Sequence, residues 1–178
     1  MTFKIDLNFV TAEEIEKYLR EVNDELCTMK IKGEICLYGG AVMCLAFKAR
    51  PATKDVDAIF EPVREIRRAA NKIGEKYDLP VGWLNLGVKM FVVQHEREIL
   101  LDLQCLKIFV PEADYLLAMK VLAARADTSD LEDIEFLLEK LQLKTVDRVL
   151  EKVADFYPHK QIKPETVFLL EELIERGK

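Results

Sequence analysis

Four features of this chain have residue types and spacings that can do chemistry. Asp55 and Asp57 are separated by one residue in KDVDAIF. On a strand, residues i and i+2 project from one face, so both carboxylates can converge on one hard cation. Two neighbouring anions repel unless positive charge lies between them. Mg²⁺ bridging triphosphate oxygens would supply that charge and act as a Lewis acid in an in-line displacement. A solvated edge face carries the same pattern. Gly39-Gly40 separates a strand-like run from a helix-like one. Glycine lets backbone approach a ligand closely, and amides at a helix start point at anions, although a plain turn has the same sequence. Asp102 in ILLDLQCL is a candidate third acid or an edge acid near a turn; alone in an apolar strand it is costly unless paired or protonated. Lys120 has Leu116, Leu117, Ala123 and Ala124 at helical spacing around it. Its ammonium requires a carboxylate or phosphate partner, or snorkels outward. Asp130, Asp133 and the strand acids are the candidate partners.

The elements that must position these residues follow from periodicity. Thr11 and Glu14 form a capping box that opens a helix over 11–23, with Ile15, Tyr18, Leu19 and Val22 at helical spacing. EICLY, 34–38, has strand character, and AVMCLAFKA after the glycines is a short helix. Residues 50–54 form a loop, because Pro51 keeps Arg50 out of the helical region. KDVDAIF alternates, with Asp55, Asp57 and Ile59 on one face and Val56, Ala58 and Phe60 on the other, which predicts a half-buried strand. Pro62 opens a helix to about Tyr77. Residues 82–93 read as a loop feeding a strand, 98–106 as another strand, and the intervening QHER as a hairpin turn. After Pro111 come helices near 112–126, 130–141, 145–156 and 164–176. Ser129 and Glu132 make a second capping box, and Gly177 marks the last stop. The economical architecture is an α+β core over 1–110 with a C-terminal helical region, 111–178, packed on it.

Half of the residues are hydrophobic, enough for a core without help from disulfides. With 33% charged residues and only 7 Gly and 6 Pro, the composition argues against disorder or low complexity. A net charge of -6 excludes a generally basic nucleic-acid coat and leaves room for a local basic patch. Lys48, Arg50 and Lys54 cluster beside the two acids, while Arg64, Arg67 and Arg68 share one helix and read as an exposed face. Cys27, Cys36, Cys44 and Cys105 include no C-x-x-C pair, and with His95 and His159 alone they argue against a zinc site. Each thiol is expected to be a small core residue. The first eighteen residues, MTFKIDLNFVTAEEIEKY, lack the apolar run of a signal peptide. No stretch approaches the roughly 20 apolar residues of a membrane span, so a reducing cytoplasm is the expected location.

The stretch YGGAVMCLAFKARPATKDVDAIF, residues 38–60, resembles the first motif of the DNA polymerase β-like nucleotidyltransferase superfamily. In its bacterial branches that motif reads Gly-Gly or Gly-Ser, a short helix, Arg, Ser or Thr, and Asp-x-Asp. The matching positions are Gly39, Gly40, Arg50, Thr53, Asp55 and Asp57. LLAMKVLAARADTSDLEDIEFLL is similar to the later motifs, through Lys120, Arg125, Asp130 and Asp133. Within the superfamily the chain resembles the AbiEii-like toxins of type IV toxin–antitoxin systems and a similar group of uncharacterised bacterial nucleotidyltransferase-like proteins. VGWLNLGVKMFV and EKVADFYPHKQIKPETVFLLEELI look more like the second group. The resemblance runs from about residue 33 almost to the end.

This resemblance implies a small mixed sheet flanked by helices, with further helices appended. It implies that Gly39 and Gly40 approach a triphosphate, with Thr53 and Lys54 on the nucleotide side and Arg50 supporting the Asp-x-Asp loop or meeting a phosphate. Asp55 and Asp57 would hold Mg²⁺, with Asp102 as the third acid. Lys120 would neutralise phosphate charge or position the nucleotide, and Asp130 or Asp133 would orient Lys120 or assist the acceptor. The implied reaction moves a nucleoside monophosphate from an NTP to a hydroxyl of RNA, the tRNA acceptor end included, or of protein. A cognate antitoxin would be a partner, and no membrane is involved. A nucleotide-binding or partner-binding module of the same fold, without turnover, is the alternative. In that case the 164–176 stripe of Val167, Leu170, Leu173 and Ile174 either docks a partner or packs on its own core. The chain departs from the pattern in two respects: no motif fixes the third acid, and it is shorter than many AbiEii-like proteins.

Overall fold

The capping box at Thr11 forms in full: Glu14 N–H donates to Thr11 Oγ1 at 3.2 Å, and Thr11 N–H donates to Glu14 Oε2 at 2.8 Å. These bonds satisfy two of the orphan donors that every helix start exposes. In the computed structural model, which describes residues 9–124 and 129–178, they open α1 (Ala12–Thr28). The helix runs past residue 23 because Leu26 continues the buried stripe of Ile15, Leu19 and Val22. It stops at Lys30, which takes φ +57°.

Five strands make a mixed sheet: β2 (Gly33–Leu37), β4 (Val56–Glu61), β5 (Leu84–Asn85), β6 (Arg97–Asp102) and β7 (Leu106–Pro111), in the order β5-β4-β2-β7-β6. β2 runs antiparallel to β4, with Leu37 opposite Ala58, and parallel to β7, with Gly33 opposite Leu106. β4 in turn runs parallel to β5, with Asp57 opposite Asn85. A central strand is covered on both faces and reads as a continuous apolar run, which is why Ile35, Cys36 and Leu37 are all buried. Two short strands, β1 (Val10–Thr11) and β3 (Ala52–Thr53), pair separately. α2 (Gly39–Leu45) lies between β2 and β3; α3 (Val63–Tyr77) follows β4 and packs on α1. Glu21 of α1 accepts from Lys76 Nζ at 3.0 Å and from Tyr77 Oη, and Glu25 accepts from Lys72 Nζ at 2.9 Å.

Two expectations about the strands fail here. QHER is no hairpin turn: β5 joins β4 across the sheet, and the hairpin is β6–β7, where Leu103 N–H donates to Leu106 O at 2.9 Å. The apolar stretch from 98 is two strands, broken where Asp102 and Gln104 turn out to solvent. The cysteines also divide. Cys36 and Cys44 are buried and not disulfide-bonded, and burial pushes the Cys36 thiol up. Cys27 and Cys105 are a disulfide with Cα atoms 5.4 Å apart, joining residues 78 positions apart. The end of α1 lies beside the β6–β7 turn, where Asn23 Oδ1 accepts from Cys105 N–H at 2.8 Å.

The chain divides into two units, one up to Met90 with Arg97–Val110 and one of Phe91–Glu96 with Pro111–Lys178. The second unit holds α4 (Ala113–Ala123), α5 (Asp130–Lys140), α6 (Val146–Phe156) and α7 (Pro164–Arg176). α4 packs on α5 and α6, and α7 packs on α5 and α6. Tyr115 of α4 stacks on His95 at 3.9 Å. Its hydroxyl accepts from Val93 N–H at 3.1 Å and meets Tyr157 Oη at 2.9 Å, and Tyr157 Oη donates to Phe91 O at 2.8 Å. Burial first, then the Tyr115 hydroxyl, pushes the Tyr157 phenol up. Thr145 caps α6, but no side-chain cap bond forms at Ser129, whose backbone is helical rather than extended. Leu170 and Leu173 of the α7 stripe are buried within this unit. Among the described residues no helix is long and apolar enough to cross a membrane.

Candidate functional site

At the end of β2 the backbone turns at Gly39, where φ is +58°, a region that disfavours any side chain. A Cβ there would lie 3.2 Å from Asp57 Oδ2. One residue on, a Cβ at Gly40 would collide with the Arg50 guanidinium and the Thr53 hydroxyl. The glycine pair is therefore set by what crowds against it. Tyr38 N–H donates to Asp57 O at 2.9 Å, which locks the strand end carrying the glycines to the strand carrying the acid. Gly39, Gly40, Arg50, Thr53 and Asp57 thus meet at one place in the first unit.

The strand alternation expected from sequence is present. Val56, Ala58 and Phe60 are buried, while Asp57 is half-buried on the other face. Asp55 stands just ahead of β4 and is exposed; its carbonyl accepts from the buried Thr53 hydroxyl at 3.4 Å. Lys54 is exposed, with Nζ 5.6 Å from the centre of the Phe9 ring. Asn85, which sequence reading did not single out, sits opposite Asp57 in register. Its carboxamide oxygen accepts from Gly87 N–H at 2.9 Å. The Asn-x-Gly spacing in NLG was the only signal for it.

Asp102 lies elsewhere. It ends β6, three strands from β4, which is on the order of 14 Å across the sheet. Its neighbour Leu103 bonds Leu106, which pairs with Gly33, whereas Asp57 lies beyond Leu37 at the opposite end of β2. That adds roughly 13 Å along the strands, so the sheet order separates Asp102 from the other two acids. Among the described residues no group of three or more His, Cys, Asp or Glu could hold a metal ion. Asp55 and Asp57 nevertheless suit Mg²⁺, which is typically bound by one or two carboxylates with waters and substrate phosphates completing the shell. Both are oxygen donors, and the missing Cβ of Gly39 leaves space beside Asp57 Oδ2.

In the helical unit, Lys120 is 8% exposed and does not snorkel. Its Nζ donates to Asp133 Oδ2 at 2.6 Å and to Asp130 Oδ1 at 3.0 Å. Asp133 is 3% exposed, and both acids occupy the first turn of α5, where the helix dipole favours negative charge. Three of the predicted residues are thereby brought together, as an ion triad between α4 and α5. Arg125, the fourth residue of that motif, lies outside the described residues.

A family model described as "Nucleotidyltransferase of unknown function (DUF6036)" matches residues 13–172. No curated protein and no solved structure matches the chain. The matched span takes in the glycine turn, the Asp-x-Asp strand and the Lys120 triad alike, and on that extent the chain belongs to this family of nucleotidyltransferases.

Proposed function

We propose that the protein is a Mg²⁺-dependent nucleotidyltransferase that moves a nucleoside monophosphate from an NTP to a hydroxyl of RNA, tRNA or protein. The observation that carries the reading is the crowding of Gly39, Gly40, Arg50, Thr53 and Asp57 at the end of β2. The acceptor hydroxyl oxygen bonds to the α-phosphorus as the bond to pyrophosphate breaks, and the hydroxyl proton is lost to solvent. Asp55 and Asp57 would hold Mg²⁺, which when bound offsets phosphate charge and acts as a Lewis acid. Gly39 admits the nucleotide close to the backbone, Thr53 steadies the Asp55 peptide, and Arg50 and Lys54 supply positive charge beside the acids. Lys120, held by hydrogen bonds to Asp130 and Asp133, acts in this reading through the helical unit. The resemblance to AbiEii-like toxins extends the proposal to a bacterial toxin restrained by a cognate antitoxin.

The test is label transfer from each of four α-labelled NTPs, with Mg²⁺ and total bacterial RNA, resolving RNA and protein together. Asp55→Ala/Asp57→Ala is expected to abolish transfer while the far-UV spectrum and melting curve stay those of the wild type. Transfer that survives in this variant would sink the assignment. A second reading, a nucleotide-binding module without turnover, is favoured by the position of Asp102 at the far end of the sheet. Calorimetric binding of Mg²⁺-NTP with no pyrophosphate released to any acceptor would support it.

A further inference from the structure

α1 and α3 enclose an open groove of about 830 Å³ on the first unit. Its charged lining is Arg64, Arg67, Arg68 and Lys72 against Glu25 and Glu75. Lys72 is paired with Glu25, whereas among the described residues no ion pair engages Arg64, Arg67 or Arg68. Like charges three and four residues apart on a helix repel, and Arg64, Arg67 and Arg68 stand at that spacing on an exposed face. It also stands on a chain whose net charge is -6, which makes a concentrated positive surface a local feature and not the general composition.

We propose that the α1–α3 groove binds the phosphodiester backbone of an RNA acceptor, an inference that rests on the nucleotidyltransferase reading. Arg64 and Arg68, flanked by Arg67, space their cations about 5–6 Å apart along α3, a step that suits successive phosphates on one strand. Arginine forks bind phosphate oxygens in pairs, which a lysine point charge does not. α3 begins where β4 ends, so Arg64 lies toward the end of the sheet away from Asp57, roughly 13 Å along β4. Gly33, which shares a sheet face with Ile35, Ala58 and Phe60, abuts Leu26 of α1 and Ile66 of α3, so the two helices cover the face opposite Asp57, and the groove grips the body of a strand whose end passes round the sheet to reach the acids. The disulfide at Cys27 fixes the last turn of α1, which forms one wall.

The experiment is fluorescence anisotropy of a labelled tRNA and a labelled single-stranded 20-mer RNA, titrated with the full chain at several salt concentrations. Arg64→Glu/Arg67→Glu/Arg68→Glu is expected to weaken binding more than tenfold. It should also flatten the log–log salt dependence by about 2, at roughly 0.7 per lost phosphate contact on a single strand. Arg64→Lys/Arg67→Lys/Arg68→Lys, which keeps the charge, should retain most of the slope, and thermal melts of both variants guard against misfolding. Unchanged affinity and slope in the glutamate variant would overturn the groove, as would equally tight binding of a polyglutamate peptide by the wild type. Arginine-dependent RNA binding without label transfer in the wild type would remove the proposed chemistry and keep the groove. Transfer indifferent to the glutamate variant at low RNA would do the reverse.

Discussion

Lys120 illustrates how far residue types carry an argument. An ammonium in an apolar helical stripe demands a partner, and that much follows from LLAMKVLAA alone. Which acid answers depends on how α5 lies against α4: Asp133 takes it at 2.6 Å in a nearly dry position, and Asp130 at 3.0 Å from a wetter one. Removing one member of a buried pair leaves the other charge without compensation. Lys120→Met is therefore expected to cost about 3–5 kcal/mol, read as a lower urea midpoint for the full chain. Asp130→Asn should cost much less, because Asp130 keeps contact with water. A midpoint unmoved by Lys120→Met would mean that the triad does not stabilise the helical unit. Asp102 is the opposite case. Its type and alternation suited a metal ligand, but sheet order is set by pairing between distant segments, and a single strand does not reveal it.

Helices were the most legible elements, because their periods and caps are local. Thr11 and Glu14 announced α1, and Pro62, Thr145 and Pro164 stand at or beside the starts of α3, α6 and α7. The strands were harder. An uninterrupted run such as EILLDLQCLKIFV has no internal sign of where one strand stops, and only the outward turn of Asp102 and Gln104 divides it. Between α1 and α3, contacts of the Glu21 carboxylate make their packing depend on pH. Burial pushes that carboxyl up, but hydrogen bonds from Tyr77 and Lys76 outweigh it and hold it below its ordinary value of 4.5. A lowered carboxyl stabilises fully above its ordinary value, and the contribution is lost as pH falls through the lowered one. The Lys76 ammonium is raised, chiefly by the Glu21 hydrogen bond, so its share is complete below 10.5 and fades as pH rises through the raised value. Melts from pH 7 to 3 should show wild type losing its advantage over Glu21→Gln at the acid end. Parallel curves over that range would count against the clasp.

At the scale of the molecule, the glycine turn and the Asp-x-Asp strand were readable because both lie within residues 39–61 and their geometry is local. The disulfide was not, since nothing in the spacing of Cys27 and Cys105 marks them as a pair. Closing a loop of 78 residues restricts the unfolded chain, and by the chain-entropy account its loss should cost about 4.5 kcal/mol. Cys27→Ser/Cys105→Ser should lower the urea midpoint, and dithiothreitol should lower that of the wild type to match while leaving the double variant unmoved. Equal midpoints for wild type with and without reductant would mean that the bridge is absent or adds nothing.

The chain crosses between its two units three times, after Met90, Glu96 and Val110. The middle passage is the strap of residues 91–96, whose His95 ring, Val93 amide and Phe91 carbonyl complete the surroundings of Tyr115 and Tyr157. A gene crossover at any single point would part the helices from that strap or split the sheet before its last two strands. The helical region is thus not a detachable module that evolution could append or trade at one joint. Sequence drift in the strap is answerable to Tyr115 through the His95 ring, whereas the Val93 and Phe91 contacts run through backbone.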